Sequence, residues 1–176
     1  MKSIVSFVVL AISMRAIFCI VLVAAFVTGH HPTWARAQDD SLIVPGVRVG
    51  SVYLGITEQA LYSQLGGPSA VTSSPGSIAY VYPKLGLYIY IDTMTHKIFE
   101  IDVAQNVEFH TVGGLKIGSP KLATQTQTQL TEAHENWPPL PGGYERVDYK
   151  DGLTLAFTPN ATIFKMSVWV PGGPHF

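Results

Sequence analysis

The chain has 176 residues, with 11 basic and 12 acidic side chains and a single cysteine. One cysteine excludes an internal disulfide framework, and sparse, balanced charge argues against nucleic acid as a partner, which needs clustered Lys and Arg. Tyr, Gly, Pro and Thr are plentiful while only 13% of residues are charged, a composition that reads as sheet-rich with many turns.

From Ile4 to Val27 the chain is almost wholly apolar, and Arg15 is its only charge. A run of that length can span a membrane, and a retained anchor is the rival reading. A removable signal peptide fits better. Arg15 leaves an apolar core, Ala16 to Val27, and a polar segment with Pro32 follows. Ala35-Arg36-Ala37 then places two small residues around one position, the pattern signal peptidase accepts. Cleavage after Ala37 makes Gln38 the first mature residue. Met14-Arg15 itself reads as an economical signal start, which leaves residues 1–13 as a mis-assigned beginning. Cys19 lies behind Ile17 and Phe18, without the small residues that precede a lipid-modified cysteine.

Removing residues 1–37 from 176 leaves 139, the size of one ordinary domain. No cysteine remains, hence no thiol nucleophile and no thiolate metal site. Lys2, Arg15 and Arg36 leave with the leader, so 8 basic residues face 12 acidic ones, a net charge of −4. That gives no electrostatic drive toward anionic lipid. The expected location is the periplasm or the exterior, with no stable membrane anchor after cleavage.

Residues 38–46 read as a flexible mature N-terminus. The first clear element is a helix with Thr57 as N-cap and an Ile56–Leu61 hydrophobic staple, ended by Gly66-Gly67-Pro68. Ser73-Ser74-Pro75-Gly76-Ser77 reads as a flexible loop. Three strands are predicted: Ile78 to Tyr82, Leu87 to Ile91 and Ile98 to Val103. The last two alternate with the period of a strand. In the third, Phe99, Ile101 and Val103 share one face, and Glu100 and Asp102 the other.

The order then recurs. Leu115-Lys116-Ile117-Gly118 echoes Val52-Tyr53-Leu54-Gly55. Ser119-Pro120 is a helix start, and the repeat assigns helix to Lys121–Leu130 although three threonines weaken it. Gly152 to Phe157 echoes Gly86 to Ile91, and Ile163 to Val168 matches Ile98 to Val103. The matches share one order, which predicts a duplication. Residues 47–108 form a first α-β-β-β repeat and residues 109–176 a second, with an irregular loop at 131–143 carrying Trp137. A single unit buries little surface. Two paired edge to edge give a two-layer α+β domain: one antiparallel sheet with both helices on one face.

Val47-Arg48-Val49-Gly50-Ser51-Val52-Tyr53-Leu54-Gly55-Ile56-Thr57, then a helix, then Leu65-Gly66-Gly67-Pro68, resembles the opening of SmpA/OmlA-type (BamE-like) domains. The tandem form is similar to β-lactamase-inhibitor-like proteins. That resemblance implies helices on one sheet face and a concave binding face opposite. It carries over no contact residue. The chain departs from the BamE pattern in lacking a lipobox.

Catalytic patterns are missing from the sequence. His96, His110, His134 and His175 stand apart, so no helical metal pair exists. No cofactor motif is recognised. Glu100 and Asp102 suggest a carboxylate pair, but a solvated strand face is the plainer reading. What remains is aromatic. Tyr88 and Tyr90 project from the helix-free side of the sheet. Tyr80 and Tyr82 join them only if the intervening loop spans five residues; a four-residue loop turns them to the aliphatic side. Trp169 belongs with Lys165 and Ser167 on the polar side of the last strand. Tyr80, Tyr82, Tyr88, Tyr90, Trp137 and Trp169 are therefore the candidate binding residues; cross-strand pairing that only stabilises the sheet is the alternative. The expected function is a non-enzymatic module that binds another exported or envelope protein through an open aromatic face. Binding of a small molecule or polysaccharide, and inhibition of an exported enzyme, are the other readings.

Overall fold

The computed structural model describes residues 39–106, 108–127, 130 and 141–172. The leader and its cleavage point, Trp137, His134 and His175 lie outside the described residues. Eleven strands are described. β1 (Leu42–Val44), β2 (Arg48–Val49) and β3 (Val52–Tyr53) precede the helix α1 (Glu58–Leu65), and β4 (Ala70–Ser74), β5 (Ser77–Tyr82), β6 (Leu87–Asp92) and β7 (Ile98–Val103) follow it. Then come β8 (His110–Thr111), a 3-10 segment Lys121–Thr126, β9 (Glu145–Tyr149), β10 (Leu153–Phe157) and β11 (Ile163–Trp169). The chain is α+β. Its main body is a seven-stranded sheet in the order β4-β5-β6-β7-β11-β10-β9, antiparallel throughout. A small sheet, β3-β2-β1-β8, stands beside it.

Helix α1 follows its local signals. The Thr57 hydroxyl accepts from the Ala60 amide at 3.3 Å, and Gly66 ends the helix at φ 75°, where a side chain is strained. Leu61 is fully buried among Ile89, Ile91, Ile101 and the other aliphatic residues of the sheet. Those residues alternate with polar or aromatic ones, so one sheet face makes the core. Ala123, in the 3-10 segment, packs against the same core.

Four expectations are corrected. The described part of the stretch 38–46, from Asp39 on, contains a paired strand rather than a loose arm: β1 pairs with β2 and β8, and Ile43 is fully buried. Gly46 donates its amide to the Gly152 carbonyl at 3.2 Å. A Cβ on Gly152 would stand 2.2 Å from the Trp169 carbonyl oxygen, so this crossing admits only glycine. Second, Ser73 and Ser74 belong to strand β4, and Pro75-Gly76 is a two-residue hairpin turn between Ser74 and Ser77. Third, the second helix is a 3-10 segment of six residues, capped at Pro120 rather than Ser119. Its threonines explain this, because Thr124 and Thr126 donate their hydroxyls to the carbonyls of Lys121 and Ala123. Fourth, Phe99 does not join Ile101 and Val103. A bulge sets Ile98 opposite Ile91 and Glu100 opposite Tyr90, leaving Phe99 as the extra residue. Its ring lies 6.3 Å from that of Tyr90.

The middle of the sheet is the β7–β11 ladder. Asp102 pairs with Ser167, with Val103 opposite Met166 and Ile101 opposite Val168. A second bulge, between Ala156 and Phe157, makes Phe164 the extra residue of β11. The Gly55 amide donates to the Ile98 carbonyl, and the Gly118 amide to the Ile163 carbonyl, both at 2.7 Å. His96 and Ala161, each just before one of these strands, have positive φ of 53° and 55°.

Candidate functional site

The face opposite the aliphatic core is built from residues out of phase with it. Its rows follow from the register. Tyr88 lies opposite Asp102, Asp102 opposite Ser167, Ser167 opposite Thr154, and Thr154 opposite Asp148. The neighbouring row runs Tyr90, Glu100, Trp169.

These side chains form a bonded network. The Asp102 carboxylate receives the Lys165 ammonium at 2.7 Å, the Tyr90 hydroxyl at 3.1 Å and the Ser167 hydroxyl. The Asp148 carboxylate receives the Thr154 hydroxyl at 2.6 Å and the Arg146 guanidinium at 3.0 Å. The Trp169 indole N–H donates to the Thr154 hydroxyl at 3.0 Å. Each carboxylate therefore has a cation and at least one hydroxyl donor, partners that a charge withdrawn from water requires. Burial, followed by the charge and hydrogen bond of Asp102, pushes the Tyr90 hydroxyl well above the usual tyrosine range.

Exposure on this face is graded. Glu100, Asp102 and Trp169 are 2%, 3% and 5% exposed, so Glu100 and Asp102 are not a solvated strand face, and the face is not open along β7, β11 and β10. Tyr88, Tyr90, Ala79 and Val81 are half-buried, and Ala70, Thr72 and Ser74 are exposed. The accessible part of the face is its β4–β5–β6 end. It carries aromatic and small side chains.

Tyr80 and Tyr82 are elsewhere. Tyr82 pairs with Leu87 across a four-residue loop, so both tyrosines turn to the aliphatic side, where they are buried. Tyr82 donates its hydroxyl to the Gly66 carbonyl at 3.0 Å and Tyr80 to the Glu58 carboxylate. They anchor α1 to the sheet and do not line the candidate surface. The face thus brings together Tyr88, Tyr90 and Trp169 of the expected residues. It adds Asp102, Lys165 and Ser167, which spacing alone placed on the polar side of their strands, and Thr154, Asp148 and Arg146, which the sequence patterns do not mark. The signal was present in the echoed strands: Glu100 and Asp102 fall where their counterpart carries Lys165 and Ser167.

The described histidines, His96 and His110, sit apart from this network. His96 Nδ1 lies 3.6 Å from Glu58 and His110 Nε2 lies 3.8 Å from Asp39, both at the surface. Among the described residues there is no group of three or more His, Cys, Asp or Glu able to hold a metal ion, and no helix long and apolar enough to cross a membrane. Among the described residues, cavities open near other turns, one of about 180 Å³ between Pro45, Thr111 and Gln127 and another of about 370 Å³ between Lys84, Gln105 and Asn106.

No protein-family model matches the sequence, and no curated protein matches it. Solved structures do. An extracellular protein containing an SCP domain from Bacillus anthracis str. Ames aligns over 66% of this chain and 44% of its own, with 17% identity and a TM-score of 0.48. A cysteine-rich secretory protein from Staphylococcus aureus subsp. aureus Mu50 aligns over 73% of this chain and 48% of its own, with 14% identity and a TM-score of 0.49. The chain spans less than half the length of either. The resemblance to SmpA/OmlA-type domains, and to their tandem β-lactamase-inhibitor-like form, is corrected by these findings: the matching structures are of another kind. The physical reason is plain. The motifs behind it, the Thr57 cap and the Gly66–Pro68 stop, specify a helix boundary that many folds share.

Proposed function

We propose that the chain is exported, that its leader is removed after Ala37, and that the remaining domain is a non-enzymatic module that binds another exported or envelope protein. The docking surface is the Tyr88–Tyr90 end of the sheet face. The observation that carries this reading is the exposure gradient: Tyr88 and Tyr90 are half-buried on strand β6, Tyr90 bonded to Asp102, at the margin of the buried network of β7, β11, β10 and β9. An aromatic pair held by a rigid support presents contact area at little entropic cost. A small-molecule site has less support, because the cavities described at Pro45–Gln127 and at Lys84–Asn106 are lined by neither tyrosine.

The domain itself arises in this reading from a duplication. Support comes from the matching bonds Gly55–Ile98 and Gly118–Ile163, the paired positive φ at His96 and Ala161, and the two bulges at Phe99 and Phe164.

Affinity capture with tagged mature protein from envelope extract tests the binding reading. Quantified by mass spectrometry, wild type recovers a partner that the Tyr88→Ala/Tyr90→Ala double variant loses while keeping its circular dichroism. Equal recovery by a folded double variant contradicts it. Reading the mature N-terminus in the same experiment checks the cleavage after Ala37.

A further inference from the structure

The two edges of the large sheet are unlike. Strand β9 carries Glu145, Arg146 and Asp148, and Lys121 binds Glu145. Charges of this kind blunt an edge against further pairing. Strand β4, Ala70-Val71-Thr72-Ser73-Ser74, carries none, and all five residues are exposed. Among the described residues it has a strand neighbour on one side only. From Gln59 to Pro83 no residue is charged, so α1 beyond Glu58, β4 and β5 form one uncharged margin. Pro68 and Pro75 bracket the strand and limit any added ladder to residues 69–74.

We infer that β4 is a self-association edge, at which a second copy of this chain adds its own β4 antiparallel and joins the two sheets into one. This goes beyond the binding face at Tyr88 and Tyr90 and does not depend on it. The charge distribution selects the occupant. The domain carries a net charge of −4, so two copies repel one another at most orientations, and the uncharged margin is where that repulsion is least. Antiparallel pairing of identical strands is self-complementary, as a two-fold dimer requires. With Thr72 on the two-fold axis, Val71 of each copy lies opposite Ser73 of the other. Val71 is 55% and Tyr62 39% exposed. Tyr80 connects them, paired with Val71 and with its ring 5.6 Å from that of Tyr62. The pairing covers this apolar strip on each copy as well as the outward peptide groups of β4.

Sedimentation equilibrium of the exported protein over a range of concentrations tests the inference. Wild type forms a dimer. Thr72→Lys sets two ammonium groups against one another across the axis and raises the dissociation constant about tenfold or more; Val71→Lys does the same from the other face. Melting temperatures report whether each variant is folded. Hydrogen exchange on wild type needs no variant: the amides of β4 that point away from β5 gain protection as concentration rises, whereas the Ser69 amide, already bonded to Val81, does not. A wild type that stays monomeric, a dimer that folded T72K and V71K both leave intact, or exchange at those outward β4 amides independent of concentration overturns the inference. Val71 lies on the face away from Tyr88 and Tyr90, so V71K with the wild-type measurements tests the dimer without touching the capture surface, and the two readings fail separately.

Discussion

Asp102 shows how one residue is constrained by its place in the sheet. It sits in the middle of the β7–β11 ladder and receives Lys165, Tyr90 and Ser167. Removing any one donor leaves a buried carboxylate short of partners, which costs more than the bond itself contributed. The tyrosine hydroxyls carry a pH consequence. Burial and the neighbouring carboxylates raise Tyr80 and Tyr90 above the ordinary value of 10.0. Above that pH the unfolded chain gives up these protons while the folded chain keeps them. The unfolded state then binds fewer protons, and stability falls as pH rises. The melting temperature is therefore expected to drop above about pH 10, and Tyr90→Phe to drop less steeply over the same range. An identical alkaline fall in Tyr90→Phe contradicts this assignment.

At the scale of elements, local signals were legible and partner-dependent ones were not. The ends of α1 could be read directly, because Thr57 and Gly66 act within one turn of chain. The 3-10 segment was harder: the repeat argued for a helix, and the threonines of Lys121–Thr126 settled it against one. The side taken by Tyr80 and Tyr82 turned on one residue of loop length, which the sequence leaves open until Tyr82 is seen to pair with Leu87. Phe99 was misplaced because a bulge exists only relative to a partner strand. Strand β4 was missed since it is exposed throughout and has no apolar alternation, although Pro75-Gly76 lies where a two-residue hairpin turn was available. The strength of α1 in the fold lies in packing more than in its cap. Leu61→Ala is expected to destabilise by about 2–5 kcal/mol and Thr57→Ala by about 1 kcal/mol, measured by denaturant unfolding. A larger loss in Thr57→Ala than in Leu61→Ala contradicts that ranking.

For the whole molecule, the α+β class followed from composition and alternation, and the seven-stranded sheet joins strands β4–β7 to strands β9–β11 at the β7–β11 ladder. The polar character of the second face was also legible, since it is the out-of-phase set of each strand. Its closure was not, because solvent exposure depends on what surrounds a side chain rather than on its spacing. The proposed binding surface narrows accordingly from the full face to the β4–β5–β6 end. The most direct test replaces Tyr88 with a photo-crosslinking phenylalanine analogue in the exported protein and irradiates it in the intact envelope, with the same analogue at Val112, exposed in the turn after β8, as a control. The account predicts a covalent adduct of position 88 with a different exported protein, absent at position 112. No adduct at 88, or the same adduct from both positions, contradicts it.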